Sequence, residues 1–308
     1  MKDFIALRDY SQDELRAILD LATVLKRELR EGSVNHQKLK GKVLGMIFEK
    51  SSTRTRVSFE TGIFQLGGMG LFLSSADIQM GRGEPIKDTA QVLSRYVDAI
   101  MIRTFAHSTV EELARHATIP VINGLSDLLH PCQVLSDMLT MMEYSGGKTL
   151  DQVKIAYIGD GNNMANSLLY GAATVGYNIA VASPSGYTIP ADIIRDCQSR
   201  ATKLGVDIVL GDDPAAAIKD ADFVYTDVWA SMGQESEQAK RVAAFANYTV
   251  TADLMKLAKP DAKFMHCLPA HRGEEVSAEV CDGPQSIIYD QAENRLHAQK
   301  AVMVHLMA

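Results

Sequence analysis

Residues 43–66 read VLGMIFEKSSTRTRVSFETGIFQL. The stretch holds three successive patterns. Residues 43–48 form an apolar run too short for a helix and dense enough for a strand buried on both faces. Residues 49–56 are polar, with four hydroxyls and two arginines in Ser51, Ser52, Thr53, Arg54, Thr55 and Arg56. Residues 57–66 then take up a helical spacing. Strand, polar loop and helix in that order are half of a parallel crossover unit.

The same alternation runs along the chain. Strands are predicted at 99–102, 154–158, 179–182, 208–210, 223–226, 263–265 and 287–289, with helix-length segments such as 88–96 and 191–204 between them. Before the first strand, Ser11 and Glu14 form a capping-box pattern. Leu15, Ile18, Leu19, Ala22, Leu25 and Leu29 then recur on one helix face. A polar, glycine-rich break at Tyr144-Ser145-Gly146-Gly147-Lys148 follows a helix predicted at 134–143. The expectation is an α/β protein of two domains, 1–144 and 145–290, each a parallel β-sheet flanked by helices. Residues 291–308 carry a final helix, and the pattern does not say which half it packs on. Ligands of such sheets gather at the loops leaving the carboxyl ends of strands.

The bulk numbers favour small molecules. Hydrophobic residues make up 46% and charged residues 22%, the balance of a globular protein. The formal charge is -7, from 31 basic and 38 acidic side chains. That argues against general nucleic-acid or anionic-membrane binding, although a few arginines in one cleft override it locally. Cys132, Cys197, Cys267 and Cys281 form no CxxC and no disulfide framework. The first residues lack an apolar signal core, and no stretch approaches the ~20 apolar residues of a membrane helix. A cytoplasmic protein with reduced thiols is expected.

The loop at 49–56 has the makings of an anion site: free N–H groups at a helix start, hydroxyl donors and planar guanidinium groups. An N-cap followed by solvated arginines is the plainer alternative. Arg103 directly follows a strand, and His130-Pro131-Cys132-Gln133 stands before a helix. Singly, a salt-bridge arginine and a structural histidine account for these; three strand-end loops with anion-suited residues are harder to dismiss together. No spacing of His130 and Cys132, or of His266, Cys267 and His271, matches a zinc pattern with enough ligands.

These three segments, 48–56, 130–133 and His266-Cys267-Leu268-Pro269, resemble the signatures of the aspartate/ornithine carbamoyltransferase family in its order and spacing. The resemblance covers essentially the whole chain. It implies that Ser52, Thr53, Arg54, Thr55, Gln79, Arg103, His130, Gln133, Cys267, Leu268 and Arg295 contact carbamoyl phosphate. Arg295 would be carried back to the first domain by the C-terminal helix. The segment Asp227-Val228-Trp229-Ala230-Ser231-Met232-Gly233 resembles the Asp-x-x-x-Ser-Met-Gly loop of the ornithine branch, and Cys132 and Cys267 also fit that branch. Asp227, Ser231 and Met232 would then contact L-ornithine, together with Asn163 or, failing it, Asn162. Enzymes using putrescine or an acylated ornithine are the runner-up; those using putrescine share the Cys-Leu-Pro segment but lack the Ser-Met-Gly triplet. Ser51 departs from the family, which often has proline there.

Gly159-Asp160-Gly161 superficially opens a dinucleotide fingerprint and so suggests an oxidoreductase. It fails because Met164 occupies the third glycine position and no acidic residue follows Ala182-Ser183. The resemblance implies direct attack of the δ-amine on the carbamoyl carbon, with Arg103, His130, Asp227 and Cys267 as the reactive set. It also implies no metal or organic cofactor, and assembly as a homotrimer or a multiple of trimers.

Overall fold

The computed structural model describes residues 2–32, 37–230 and 237–308. The chain forms two compact units, Met1–Ser136 with Asn294–Ala308, and Asp137–Glu293. The first begins with α1 (Gln12–Arg30), then β1 (Val43–Phe48), α2 (Thr53–Gln65), β2 (Met69–Ser74), α3 (Ile86–Leu93), β3 (Ala99–Arg103), α4 (His107–His116), β4 (Val121–Leu125) and the start of α5 (Pro131–Tyr144). Its four strands are all parallel, in the order β2-β1-β3-β4.

The second unit contains β5 (Lys154–Ile158), α6 (Asn163–Val175), β6 (Asn178–Ala182), α7 (Ala191–Leu204), β7 (Ile208–Gly211), α8 (Pro214–Ile218) and β8 (Phe223–Thr226). It continues through α9 (Gln238–Ala244), α10 (Ala252–Met255), β9 (Lys263–His266), α11 (Ala278–Cys281) and the start of α12 (Ile288–Met307). Its five parallel strands run β7-β6-β5-β8-β9. The expected fold class, two parallel sheets flanked by helices, is therefore the one observed.

Local chemistry explains the elements. The Ser11 hydroxyl accepts the Glu14 N–H at 3.2 Å while the Glu14 carboxylate accepts the Ser11 N–H at 2.8 Å. That closes the capping box of α1, whose Leu15, Ile18, Leu19, Ala22 and Leu25 are buried. The last turns of α12 pack in the first unit. Lys26 donates to Asn294 at 2.6 Å, Lys300 donates to Gln65 at 3.0 Å, and Gly62 of α2 lets Met303 and Lys300 lie against the backbone.

Two readings of the sequence differ from the structure. Residues 287–289 are not a strand: Ser286 makes a single bridge to Phe264, and the chain then turns into α12. Three apolar residues fit a helix as well as a strand, and only length separates them. Conversely, β2 and β4 contain Gly70, Asn123 and Gly124, residues of low strand propensity that hide the pattern.

Gly124 has a positional role. Ile102 pairs with Asn123 and Arg103 with Leu125, so the register skips Gly124 beside the strand end that carries Arg103. A Cβ there would lie 2.5 Å from Met101 Sδ and 3.1 Å from the Ile102 carbonyl oxygen. Gly124→Val should therefore destabilise the protein by about 1–3 kcal/mol, read as a lower midpoint in urea unfolding.

Candidate active site

In the first unit, the loop after β1 ends at Ser52, which caps α2 by accepting the Thr55 N–H at 3.3 Å. Thr55 is buried and its hydroxyl is a meeting point. Ser52 Oγ lies 3.1 Å away, Arg103 Nη1 donates to it at 3.5 Å, and Arg295 Nη2 at 3.3 Å. Arg295 Nη1 also donates to Gln133 Oε1 at 2.8 Å. His130, just before α5, is buried. Burial, and after it the charges of Arg295, Arg103 and Arg54, hold its imidazole well below the ordinary pKa. The ring is neutral at pH 7, with one nitrogen able to donate and the other to accept. Ser52, Arg54, Thr55, Arg103, His130, Gln133 and Arg295 thus form one cationic group at a helix N-terminus. Such a group binds a phosphate or carboxylate and can donate to a carbonyl oxygen.

Other residues of this region are placed elsewhere. Thr53 opens α2 with an exposed side chain, and Gln79 is exposed on a short 3-10 turn, outside the hydrogen-bonded group around Thr55. Arg56 stacks on Phe72 at 3.8 Å and pairs with Glu60 at 3.1 Å, so the two arginines of the first loop part company. Cys132 is buried and donates to the Asn123 carbonyl at 3.4 Å, and burial pushes its thiol up to about 12.

The second unit has its own cluster. Asp227 follows β8 and is buried. Its Oδ1 accepts the Val228 N–H at 2.9 Å and the Cys267 thiol at 3.0 Å, and its Oδ2 accepts from Asn162 Nδ2 at 2.8 Å. The other end of the Asn162 amide caps α6, accepting the N–H groups of Met164 and Ala165 at 2.8 and 3.2 Å. Asn163 is the buried first residue of that helix. Cys267 follows β9 and is half-buried, and Leu268 beside it has φ +61. Ser231 and Met232 lie outside the described residues.

One part of this frame gave no signal in the sequence. Arg241 on α9 is buried and donates to Asp160 at 2.7 Å and to the Trp229 carbonyl at 2.8 Å. It so joins the loop after β5 to the loop after β8. Burial pushes the Asp160 carboxyl up to about 6 against the pull of Arg241. Arg241 sits in an ordinary amphipathic pattern, and nothing in that pattern marks it. Two groups have donor atoms within 4.8 Å of one another and so are the candidates for a cation among the described residues: Asp227, His266 and Cys267, and His271, Glu274 and Glu275. In the first, both ring nitrogens of His266 already have partners, Leu268 N at 2.8 Å and Glu275 Oε1 at 3.2 Å. A metal would displace one of them.

Family models match both halves. Residues 2–143 match the aspartate/ornithine carbamoyltransferase carbamoyl-P binding domain, and residues 151–306 the Asp/Orn binding domain of that family. The chain belongs to the aspartate/ornithine carbamoyltransferase family. It is accordingly an enzyme, a carbamoyltransferase. Among curated relatives of this family, the ornithine carbamoyltransferase of Oceanobacillus iheyensis is 59% identical over 307 residues, covering 100% of this chain and 94% of that protein. The one from Symbiobacterium thermophilum is 57% identical, covering 100% and 98%. Of solved structures, ornithine carbamoyltransferase from Pyrococcus furiosus superposes with TM-score 0.95 at 52% identity, over 99% of this chain and 97% of that one. The anabolic enzyme of Campylobacter jejuni gives TM-score 0.93 at 43% identity, with 99% of each chain covered.

The neutral, buried His130 has a consequence for stability. A histidine whose folded pKa is depressed stabilises the fold above the unfolded pKa near ~6.5, and that contribution is lost as pH falls below it. The cost approaches about 1.4 kcal/mol per pH unit well below that point. Comparing wild type with His130→Asn in urea at pH 7 and pH 5 should show a shallower loss in the variant.

Proposed function

We propose that this enzyme transfers the carbamoyl group of carbamoyl phosphate to the δ-amine of L-ornithine, giving L-citrulline and phosphate. The choice of acceptor is carried by the 59% identity, along the whole chain, to a protein named ornithine carbamoyltransferase. The geometry of each cluster supports it. In the first unit, the N-terminus of α2, Ser52, Thr53 and the guanidinium groups of Arg54, Arg103 and Arg295 hold the phosphate. Gln79 and Gln133 add contacts to carbamoyl phosphate, and Thr55, Arg103 and His130 donate to the carbonyl oxygen as it becomes an oxyanion. Residues 1–144 act as the carbamoyl-phosphate domain, 145–290 as the ornithine domain and 291–308 as the helix that returns Arg295.

In the second unit, Asn163, Asp227, Ser231 and Met232 receive ornithine. Free alkyl amines have pKa values near ~10.4, so baring the lone pair at pH 7 costs about 4–5 kcal/mol. Asp227 favours the ammonium form and so orients the amine rather than deprotonating it. The departing phosphate accepts the proton, and Cys267, 3.0 Å from Asp227, helps to seat the amine. Attack is direct, because carbamoyl phosphate is already an activated donor. Cys267 and Leu268 also contact the carbamoyl end. The reading includes a cytoplasmic setting, arginine metabolism and a homotrimer or a multiple of trimers. Exposed apolar side chains in the first unit, among them Phe64 at 77% and Tyr96 at 75%, support assembly.

Three assays test this. Citrulline formation with ornithine should exceed carbamoylation of putrescine, aspartate or N-acetylornithine by at least about 100-fold in kcat/KM. A better rate with another amine would keep the phosphate assignments and discard the acceptor. Arg103→Gln should lower kcat by about 100- to 1000-fold, as loss of an oxyanion donor does. For Cys267→Ala, an unchanged rate and pH profile would remove the thiol from the mechanism; a lower kcat is expected.

A further inference from the structure

The second unit contains a buried ionisable pair that the proposed chemistry leaves unused. The side chains of His266 and Glu275 have no exposed surface, and Nε2 of one stands 3.2 Å from Oε1 of the other. His266 Nδ1 accepts the N–H of Leu268 at 2.8 Å. A ring nitrogen that accepts carries no proton, so the proton is on Nε2 and is donated to Glu275. Glu275 Oε1 also accepts the His271 N–H at 2.5 Å, while its Oε2 is buried with no hydrogen-bond partner among the described residues. On the main-chain side, the His266 N–H is held by Gln291 Oε1 at 2.8 Å. The Gln291 amide in turn donates to Asp137 at 2.7 Å and Tyr225 at 3.1 Å.

Leu268 sits at φ +61, in the left-handed region that a branched side chain rarely adopts. Such a residue persists only where its surroundings over-determine it. Its amide is fixed by His266, and His266 is fixed by Glu275 and Gln291. Bulk packing alone would be served at least as well by an apolar pair of similar volume, without burying a carboxylate. Both side chains are fully enclosed, and their hydrogen bonds run to the loop that follows β9, so a role for them acts through that loop.

We infer that Glu275 is a positioning residue. By fixing the tautomer of His266 it sets the backbone at Cys267 and Leu268, and with it the seat of the thiol against Asp227. The inference rests on the reading of Cys267 and Leu268 as substrate contacts.

Paired substitutions separate this role from packing. His266→Asn places an amide oxygen where Nδ1 stands and keeps an acceptor for Leu268; His266→Gln places an amide donor toward Glu275 and loses that acceptor. Glu275→Gln keeps an acceptor oxygen, and Glu275→Leu does not. The expected order is His266→Asn and Glu275→Gln within about fivefold of wild-type kcat, and His266→Gln and Glu275→Leu lower by about 10- to 100-fold. The rate of Cys267 alkylation by iodoacetamide should follow the same division. Cys267→Ser is the blank, since the other three cysteines are buried. Equal behaviour of His266→Asn and His266→Gln, or alkylation rates that all match wild type, overturns the inference. Should the variants not fold, histidine-selective 15N NMR of the unsubstituted protein decides: an Nε2–H tautomer at His266 supports the inference and an Nδ1–H tautomer sinks it. If wild type makes no citrulline, the acceptor reading fails, while the alkylation order and tautomer still judge the positioning role.

Discussion

Parallel neighbours cannot be joined by a tight turn, so every connection in these two sheets returns across a face, most often through a helix. That requirement places each strand's carboxyl end next to the start of the following crossover. It also creates one point in each sheet where successive connections leave in opposite directions. In the order β2-β1-β3-β4 that point lies between β1 and β3, and in β7-β6-β5-β8-β9 between β5 and β8. Thr55 follows β1 and Arg103 ends β3, and they share a hydrogen bond. Asn162 follows β5 and Asp227 follows β8, and they share another. The topology, more than any single side chain, decides where the chemistry collects.

The first cluster sets several cationic groups in a chain of net charge -7. Arg103 and Arg295 both donate to one buried hydroxyl, an arrangement in which the guanidinium groups repel each other until an anion arrives. The second cluster has the opposite character: a buried carboxylate with an amide, a backbone N–H and a thiol all directed at it. Each polarity suits one of the two proposed substrates, and the sum of charges over the chain says nothing of either.

What the sequence made legible follows from range. Short-range chemistry was readable: the capping box at Ser11, the strand–loop–helix at 43–66, and the anion-suited residues at strand ends. The alternation of β1, β3, β5, β6, β7, β8 and β9 with helices sufficed for the fold class, even though glycines hid β2 and β4. Arg295 could be assigned only by resemblance, because its partners Gln133 and Thr55 are 162 and 240 positions away. Arg241, Gln291 and Glu275 carried no mark at all. They act by holding loops, and a loop's support comes from contacts between distant segments rather than from local pattern. Asn162 was weighed as a ligand, yet its amide is engaged in capping α6 and holding Asp227, a distinction that needs coordinates.

The first unit is built from two stretches of chain with the whole second unit between them. Gln133 and Arg295, joined at 2.8 Å, are made at well-separated times on the ribosome. During translation the residues up to Ser136 can collapse around β1, β3 and β4, but their cationic group lacks a member until the intervening unit has emerged. The anion site of the first unit is therefore completed only when the last stretch of the chain has been made. Order of synthesis thus decides when this site can be assembled, and the connectivity of the fold sets that order.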